Sequence, residues 1–76
     1  MNDQALGNSL KVHRAMHDLT QAELAGLAGI TRASVNAIEG GRMVPSVILA
    51  LKLAKALGVT VDDLFRIASA EAGENA

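Results

Sequence analysis

The chain of 76 residues has no cysteine, tryptophan or tyrosine, and it has a single proline and a single phenylalanine. The absence of cysteine excludes a disulfide framework, a thiolate metal site and cysteine redox chemistry. The scarcity of aromatic and β-branched residues excludes a β-sandwich or barrel. Half of the residues are apolar, which is too many for a disordered chain. This composition predicts one small all-α domain, a compact helical bundle.

Long apolar runs and targeting signals are missing as well. Residues Met1–Gln4 lack a basic region followed by an apolar core, so we expect no signal peptide. The most apolar run, Val47–Leu57, contains Lys52 and Lys55 and is far shorter than the roughly 20 residues of a membrane span. We therefore expect a cytoplasmic protein that has no membrane partner.

Neither sign of charge dominates, since seven Lys and Arg residues stand against eight Asp and Glu residues. Glu71 and Glu74 fall in a small polar tail, and residues 1–67 carry seven basic and six acidic side chains. A nucleic-acid-binding domain is usually strongly basic. The net charge therefore neither supports nor excludes DNA as a partner.

Cap residues and glycines divide the chain into five short predicted helices. The first is predicted over Leu6–His17, because Leu6, Leu10 and Arg14 recur on one face. The other four are predicted to begin at hydroxyl caps, which are Thr20, Thr31, Ser46 and Thr60. Residues 69–76 follow as a flexible tail, so we expect a single domain over residues 1–68.

Apolar residues at helical spacing predict which side chains form the core. Leu24, Leu27 and Ala28 are predicted to face inward from the second helix, and Val35 and Ile38 from the third. The inner stripe predicted for the fourth helix consists of Val47, Ala50, Leu51, Ala54 and Leu57.

The connection between the second and third predicted helices is very short. Only Gly29, Ile30 and Thr31 separate them, and such a tight turn imposes a large crossing angle. This is the geometry of a helix-turn-helix unit, whose second helix can enter the major groove of DNA.

Key residues recur at fixed spacing through this region: Gln21, Leu24, Ala25, Gly29, Ile30, Thr31, Val35, Ile38 and Glu39. The pattern resembles the phage-repressor or Cro-like helix-turn-helix family, the XRE type of transcriptional regulator. The resemblance continues through Pro45-Ser46, Leu53–Val59 and Asp62–Phe65, and it covers roughly residues 6–67. It implies a five-helix, lambda-repressor-like domain that binds double-stranded DNA.

The resemblance implies that four outward residues of the third helix face the bases: Arg32, Ala33, Asn36 and Ala37. Their chemistry suits direct readout, because Arg can bind guanine, Asn can bind adenine and an alanine methyl can pack on a thymine methyl.

The resemblance also implies contacts with the DNA backbone. Gln21 is expected to bind a phosphate and to brace the first residue of the third helix, and Thr31 and Ser34 are expected to combine capping with phosphate contacts. The loop with Gly41 and Arg42 is expected to follow the backbone, where free N–H groups and an arginine meet phosphate. This loop is less basic than is usual in the family, which predicts a shallow salt dependence.

Two further expectations concern side chains away from DNA. Arg14 and Glu39 match a family pair that forms a partly buried ion pair between the first and third helices. An apolar cluster is expected to form the interface of a twofold homodimer on an inverted-repeat operator, and its residues are Met43, Val44, Val47, Ile48 and Phe65.

Other functions have less support in the sequence. His13 and His17 have the spacing of two metal ligands, but no cysteine and no acidic third ligand accompany them. No catalytic constellation is present, so we expect neither an enzyme nor a cofactor. The alternative to a regulator is a protein-interaction module, or an antitoxin with a toxin partner, that uses the same fold.

Overall fold

The computed structural model describes residues 6–67, which form five helices and two short strands. In chain order these are β1 (Leu6–Asn8), α1 (Leu10–Met16), α2 (Gln21–Ala28), α3 (Arg32–Glu39), α4 (Val47–Leu57), α5 (Val61–Leu64) and β2 (Phe65–Ile67). The predicted tail, residues 69–76, and both ends of the predicted domain lie outside the described residues. Within residues 6–67, no helix is long and apolar enough to cross a membrane.

The two strands correct the prediction for the beginning of the chain. β1 pairs antiparallel with β2, and Leu6 lies opposite Ile67. The first helix therefore begins at Leu10 and not at Leu6, and the all-α class is only approximate. The backbone N–H of Ser9 donates to the carbonyl of Leu64 (2.8 Å), which extends the pairing up to the first turn of α1. Helical spacing of Leu6 with Leu10 was misleading, because pairing with a distant strand satisfies the same backbone groups.

The predicted starts of the other four helices are confirmed. The four hydroxyl caps each accept a hydrogen bond from the backbone N–H three residues on, and these caps are Thr20, Thr31, Ser46 and Thr60. Such a cap stabilises a helix by about 1 kcal/mol. Gly29 and Gly58 end α2 and α4 with φ angles of +74° and +70°, a conformation that glycine adopts without strain. The fifth helix ends after a single turn at Leu64, because the chain becomes extended at Phe65.

One hydrophobic core joins all the elements. Its buried side chains are Leu10, Leu24, Ala25, Ala28, Val35, Ile38, Ala50, Leu53, Ala54, Leu57, Leu64 and Phe65. α2 packs against both α3 and α4, and α3 also contacts α1. The core therefore fixes α3 by its inner face and leaves the opposite face toward solvent.

The predicted core was wrong at three positions. Leu27, Val47 and Leu51 are exposed, whereas Leu53, which was not assigned to the inner stripe of α4, is fully buried. α4 is apolar on nearly every side, so periodicity alone did not identify its inner face. The packing of α4 against α2 and α5 makes that choice.

Candidate nucleic-acid interface

The outer face of α3 is a solvent-facing surface that combines polar side chains with alanines. Arg32, Ala33 and Asn36 are exposed and Ala37 is half-buried, while Val35 on the opposite side is fully buried. A shallow cleft lies between this face and the start of α2, and its lining residues are Gln21, Arg32, Ala33 and Asn36. The structure thus brings together the residues that were predicted to face the bases.

The N-terminus of α3 is held by two hydroxyl groups. Thr31 Oγ1 accepts from the backbone N–H of Ser34 (3.0 Å) and donates to Ser34 Oγ (2.9 Å). Because Ser34 Oγ accepts this bond, its own hydrogen points elsewhere and can serve a ligand. The first N–H groups of a helix lack intrahelical partners, and this end of a helix favours anions.

The loop after α3 differs from the expectation of free backbone donors. The N–H groups of Gly40, Gly41 and Arg42 donate to the carbonyls of Asn36 (3.0 Å), Ile38 (3.1 Å) and Ala37 (2.9 Å), respectively. These bonds close the C-terminus of the helix, and Gly41 adopts a φ of +76° to allow them. The predicted free N–H groups are therefore absent from these three residues, and Arg42 contributes its guanidinium to the surface of the loop.

Side-chain hydrogen bonds connect this loop to the interior of the domain. Arg42 donates to Asn36 Oδ1, and Asn36 Nδ2 donates to Gln21 Oε1 (3.3 Å). Gln21 Nε2 donates in turn to Glu39 Oε1 (3.0 Å). Gln21 thus braces Asn36 and Glu39, whereas it was predicted to brace the first residue of α3, Arg32.

The hydrogen-bonded chain ends in the predicted ion pair, which is present. Arg14 Nε donates to Glu39 Oε2 (2.7 Å) and Arg14 Nη2 to Glu39 Oε1 (3.2 Å). A third bond runs from Arg14 Nη1 to the carbonyl of Leu19 (2.8 Å). The side chains of Arg14 and Glu39 are only 16% and 7% exposed, so the pair is screened from water and holds α1 against the end of α3.

The ion pair changes the pKa values of both partners. Burial alone would raise the pKa of Glu39, but hydrogen bonds from Arg14 and Gln21, together with the charge of Arg14, outweigh it and lower that pKa. The hydrogen bond to Glu39 raises the already high pKa of Arg14. Both groups are therefore ionised at neutral pH, and Glu39 acts only as a hydrogen-bond acceptor.

Asn8 was missed by sequence reasoning and also supports α3. Its Nδ2 donates to the carbonyl of Ile38 (3.1 Å), and its Oδ1 accepts from the backbone N–H of Leu10 (3.1 Å). Asparagine two residues before a helix is a known signal for the second bond. The first bond links residues 30 positions apart, and no local pattern announces it.

A second surface is apolar. Four exposed aliphatic side chains form it, and we call it the apolar surface: Val44, Val47, Ile48 and Leu51. Val44, Val47 and Leu51 also line a groove whose other walls are Leu6, Pro45, Ser46, Ala50, Val61 and Phe65.

The residues predicted for the dimer interface do not all belong to the apolar surface. Phe65 is buried in the core, and Met43 is half-buried and packs against the core. Leu51, which was predicted to face inward, belongs to the exposed set. Phe65 differs from the prediction because it belongs to β2, and the pairing of β2 with β1 turns its side chain inward.

The two histidines do not form a recognisable site. His13 is half-buried and His17 is exposed. In the part of the chain that the structure describes, no group of three His, Cys, Asp or Glu side chains is arranged to hold a metal ion.

Comparison with known proteins decides the family. The sequence model described as helix-turn-helix matches residues 10–64, which span α1 to α5. The chain belongs to the helix-turn-helix family. The XRE-type resemblance drawn from the sequence is thereby confirmed.

Relatives of this helix-turn-helix chain have similar lengths. An HTH-type transcriptional regulator of Methanocaldococcus jannaschii is 48% identical over 58 residues, which cover 76% of this chain and 88% of the relative. The HTH-type transcriptional regulator YgzD of Bacillus subtilis is 43% identical over 58 residues, with the same two coverages of 76% and 88%.

A solved structure has the same fold. The restriction-modification controller protein C.AhdI from Aeromonas hydrophila matches with a TM-score of 0.69 and 35% sequence identity. The match covers 71% of this chain and 82% of that protein.

Proposed function

We propose that this helix-turn-helix protein binds double-stranded DNA at specific sequences and regulates transcription by occupying its site. The observation that carries this proposal is the exposure of the outer face of α3, with Arg32 and Asn36 side by side on it. An α-helix fits the major groove, where each base pair presents a distinct pattern of donors and acceptors. The relatives described as transcriptional regulators support it, and they do not favour the interaction-module or antitoxin alternative.

We assign the readout of bases to α3. Arg32 suits guanine O6 and N7, and Asn36 suits the edge of adenine, while the methyl groups of Ala33 and Ala37 suit thymine. Each bidentate pair discriminates between bases by about 1–3 kcal/mol. These contacts do not require the core to move, since the face is exposed in the DNA-free protein.

We assign the positioning contacts to the edges of α3. Thr31 and Ser34 bring hydroxyl groups to its N-terminus, and Arg42 brings a guanidinium to the loop at its C-terminus. The second amide hydrogen of Gln21 is available to a phosphate, because only one is used by Glu39. Gly41 contributes the conformation of the loop. Phosphate contacts at both ends would fix the orientation of α3 in the groove.

Selection of bound sequences from random duplexes tests the proposal. We expect the wild-type protein to enrich one motif, and Arg32→Ala and Asn36→Ala each to relax a different position within it. Lys55→Ala, which removes an exposed cation from the last turn of α4, is the matched control and should leave the motif unchanged. Enrichment of no motif by the folded wild-type protein would refute sequence-specific binding.

We further propose that a second copy of this chain covers the apolar surface. The surface and its groove are lined by uncharged residues, so an isologous contact would bury no unpaired charge. A twofold dimer would place two α3 helices about 34–36 Å apart, one turn of DNA, and an inverted-repeat operator would match it. A DNA target also supports the cytoplasm as the compartment in which the protein acts.

Sedimentation at tens of micromolar tests the dimer. We expect a dimer mass for the wild type and a monomer mass for Leu51→Ser. Leu27→Ser is the matched control, because Leu27 is a leucine of similar exposure (64%, against 56% for Leu51) on α2, outside the apolar surface. A monomer mass for the wild type would refute self-association and leave a different protein, such as a toxin, as the occupant.

A further inference from the structure

We propose that Glu39 determines which base Asn36 accepts, because it fixes the orientation of the Gln21 amide, which fixes the orientation of the Asn36 amide. The inference rests on the proposed DNA binding and names a specificity device within it. Gln21 and Glu39 act in it as positioning residues, and Asn36 is the group that touches the base.

The first step is the polarity of Glu39. An ionised carboxylate can only accept hydrogen bonds, and Arg14 already donates to both of its oxygens. Gln21, whose side chain lies 3.0 Å from Glu39 Oε1, must therefore turn its NH2 group toward the carboxylate. The opposite orientation would place two acceptors against each other at a partly buried contact.

The orientation of the Gln21 amide in turn fixes the orientation of the Asn36 amide. With its NH2 group on Glu39, Gln21 presents Oε1 to Asn36, and that oxygen can only accept. Asn36 must therefore offer Nδ2, at 3.3 Å, and turn Oδ1 outward. The guanidinium of Arg42 donates to Oδ1 in this arrangement, which is a second, independent sign that the outward atom is an acceptor.

The third step is the choice of base. Asn36 presents an acceptor and one remaining amide hydrogen, which complement the N6 donor and the N7 acceptor of adenine. Guanine offers two acceptors, O6 and N7, so Oδ1 would face an acceptor without a hydrogen between them. An asparagine with a free amide can rotate to bind either purine, whereas this one is held in the orientation that rejects guanine. Arg42 is exposed and can move to a phosphate when a base takes its place.

Two variants break the chain of amides at different points. Gln21→Met keeps the length of the side chain and removes its hydrogen bonds. Glu39→Gln keeps the shape of the acceptor but lets it donate, so that Gln21 can adopt either orientation. Asn36→Ala identifies the position of the motif that Asn36 contacts, and Arg32→Ala is the matched control on the same face of α3.

The experiment measures equilibrium binding to duplexes that differ only by adenine or guanine at the Asn36 position. We expect the wild type to prefer adenine by about 10-fold or more, in line with ~1–3 kcal/mol for a bidentate pair. Gln21→Met and Glu39→Gln should reduce this ratio to near 1, while the preference at the Arg32 position stays unchanged. Arg32→Ala should do the reverse. A variant that only lost stability would bind all the duplexes more weakly by the same factor and would leave the ratios unchanged.

Three results would overturn the inference. One is an adenine-to-guanine ratio that stays the same in both variants, and another is a wild-type preference for guanine at this position. The third comes from NMR spectra of the DNA-free protein. The hydrogens of the Gln21 side-chain NH2 group should exchange slowly with water in the wild type and faster in Glu39→Gln. Fast exchange in the wild type would refute the amide orientation even if DNA binding holds. A wild type that selects no sequence would instead refute the proposed function.

Discussion

α3 and α4 are built alike but show solvent different faces. Both begin at a hydroxyl cap, Thr31 or Ser46, and both bury aliphatic side chains on the inner face. The outer face of α3 carries Arg32 and Asn36, whereas the outer face of α4 is part of the apolar surface. The inner faces therefore explain the fold, and the outer faces indicate two kinds of partner.

The difference matters because the two faces respond oppositely to being covered. Apolar side chains gain about 25 cal/mol per Å² when a partner removes them from water. Polar side chains lose free energy when covered, unless the partner supplies matching hydrogen bonds. In the proposed complex, base edges would supply such bonds to α3, and a second copy of the chain would supply apolar contact to α4.

The largest expected effect distinguishes two leucines of α4. Leu53→Ala removes a fully buried side chain and should lower the free energy of unfolding by about 4 kcal/mol. Leu51→Ala, two positions earlier and 56% exposed, should change the stability of the monomer by less than about 0.5 kcal/mol. Chemical denaturation at low protein concentration measures both. Equal losses would contradict the assignment of inner and outer faces.

The ion pair behind α3 gives the next largest effect. Glu39→Ala leaves Arg14 partly buried without its partner, and we expect a loss of about 3 kcal/mol in the free energy of unfolding. Thermal unfolding measures it, and Asp62→Ala, which removes an exposed acid, is the control. An unchanged melting temperature in Glu39→Ala would show that the pair serves binding alone.

Acid should lower the free energy of unfolding, because it protonates the Glu39 carboxylate that holds α3 against α1. The folded pKa of Glu39 lies below its ordinary value of about 4.5, so its contribution to stability is complete above that pH and is lost as the pH falls through the folded pKa. Asp63, whose pKa is lowered by the backbone N–H of Thr60, adds to the same trend. Glu39→Gln should unfold with a shallower pH dependence below about pH 4.5, measured by denaturant titration. The same pH dependence of stability in Glu39→Gln and in the wild type would contradict this role of Glu39.

The loop after α3 sets a smaller effect on DNA affinity. Arg42→Ala should reduce the slope of log affinity against log salt by about 0.9, the value for one phosphate contact. Lys55→Ala removes the same charge from α4 and should leave the slope unchanged, as measured by fluorescence anisotropy across a salt series. An equal reduction of the slope in both variants would show that net charge matters, and not the position of Arg42.

The smallest effect comes from α2, between the two helices. Gly26 is exposed within α2, and an added methyl group would have no neighbour within 4 Å. Gly26→Ala should therefore raise the free energy of unfolding by about 0.5–1 kcal/mol without altering DNA binding. Gly29→Ala, at a φ of +74°, should destabilise the protein instead. A loss of stability in Gly26→Ala would mean that α2 is more crowded than the structure shows.

Local chemistry determined what could be predicted from the sequence. The caps at Thr20, Thr31, Ser46 and Thr60 and the glycines after α2 and α4 specify helix ends through bonds within a few residues. The outward set on α3 followed from the resemblance to the helix-turn-helix family.

What could not be predicted depends on contacts between distant parts of the chain. The pairing of β1 with β2, which also buried Phe65, has no local signature. Leu51 and Leu53 were exchanged because α4 is apolar around most of its surface. The contact of Gln21 with Asn36 could not be predicted either, because it depends on how α2 and α3 cross.

The two-stranded sheet lies outside the segment that the family model covers, residues 10–64. Leu6 and Phe65, one from each strand, stand beside the groove at the apolar surface. A fragment trimmed to residues 10–64 would keep α3 but lose the pairing of β1 with β2, and with it Leu6 and Phe65 as walls of the groove.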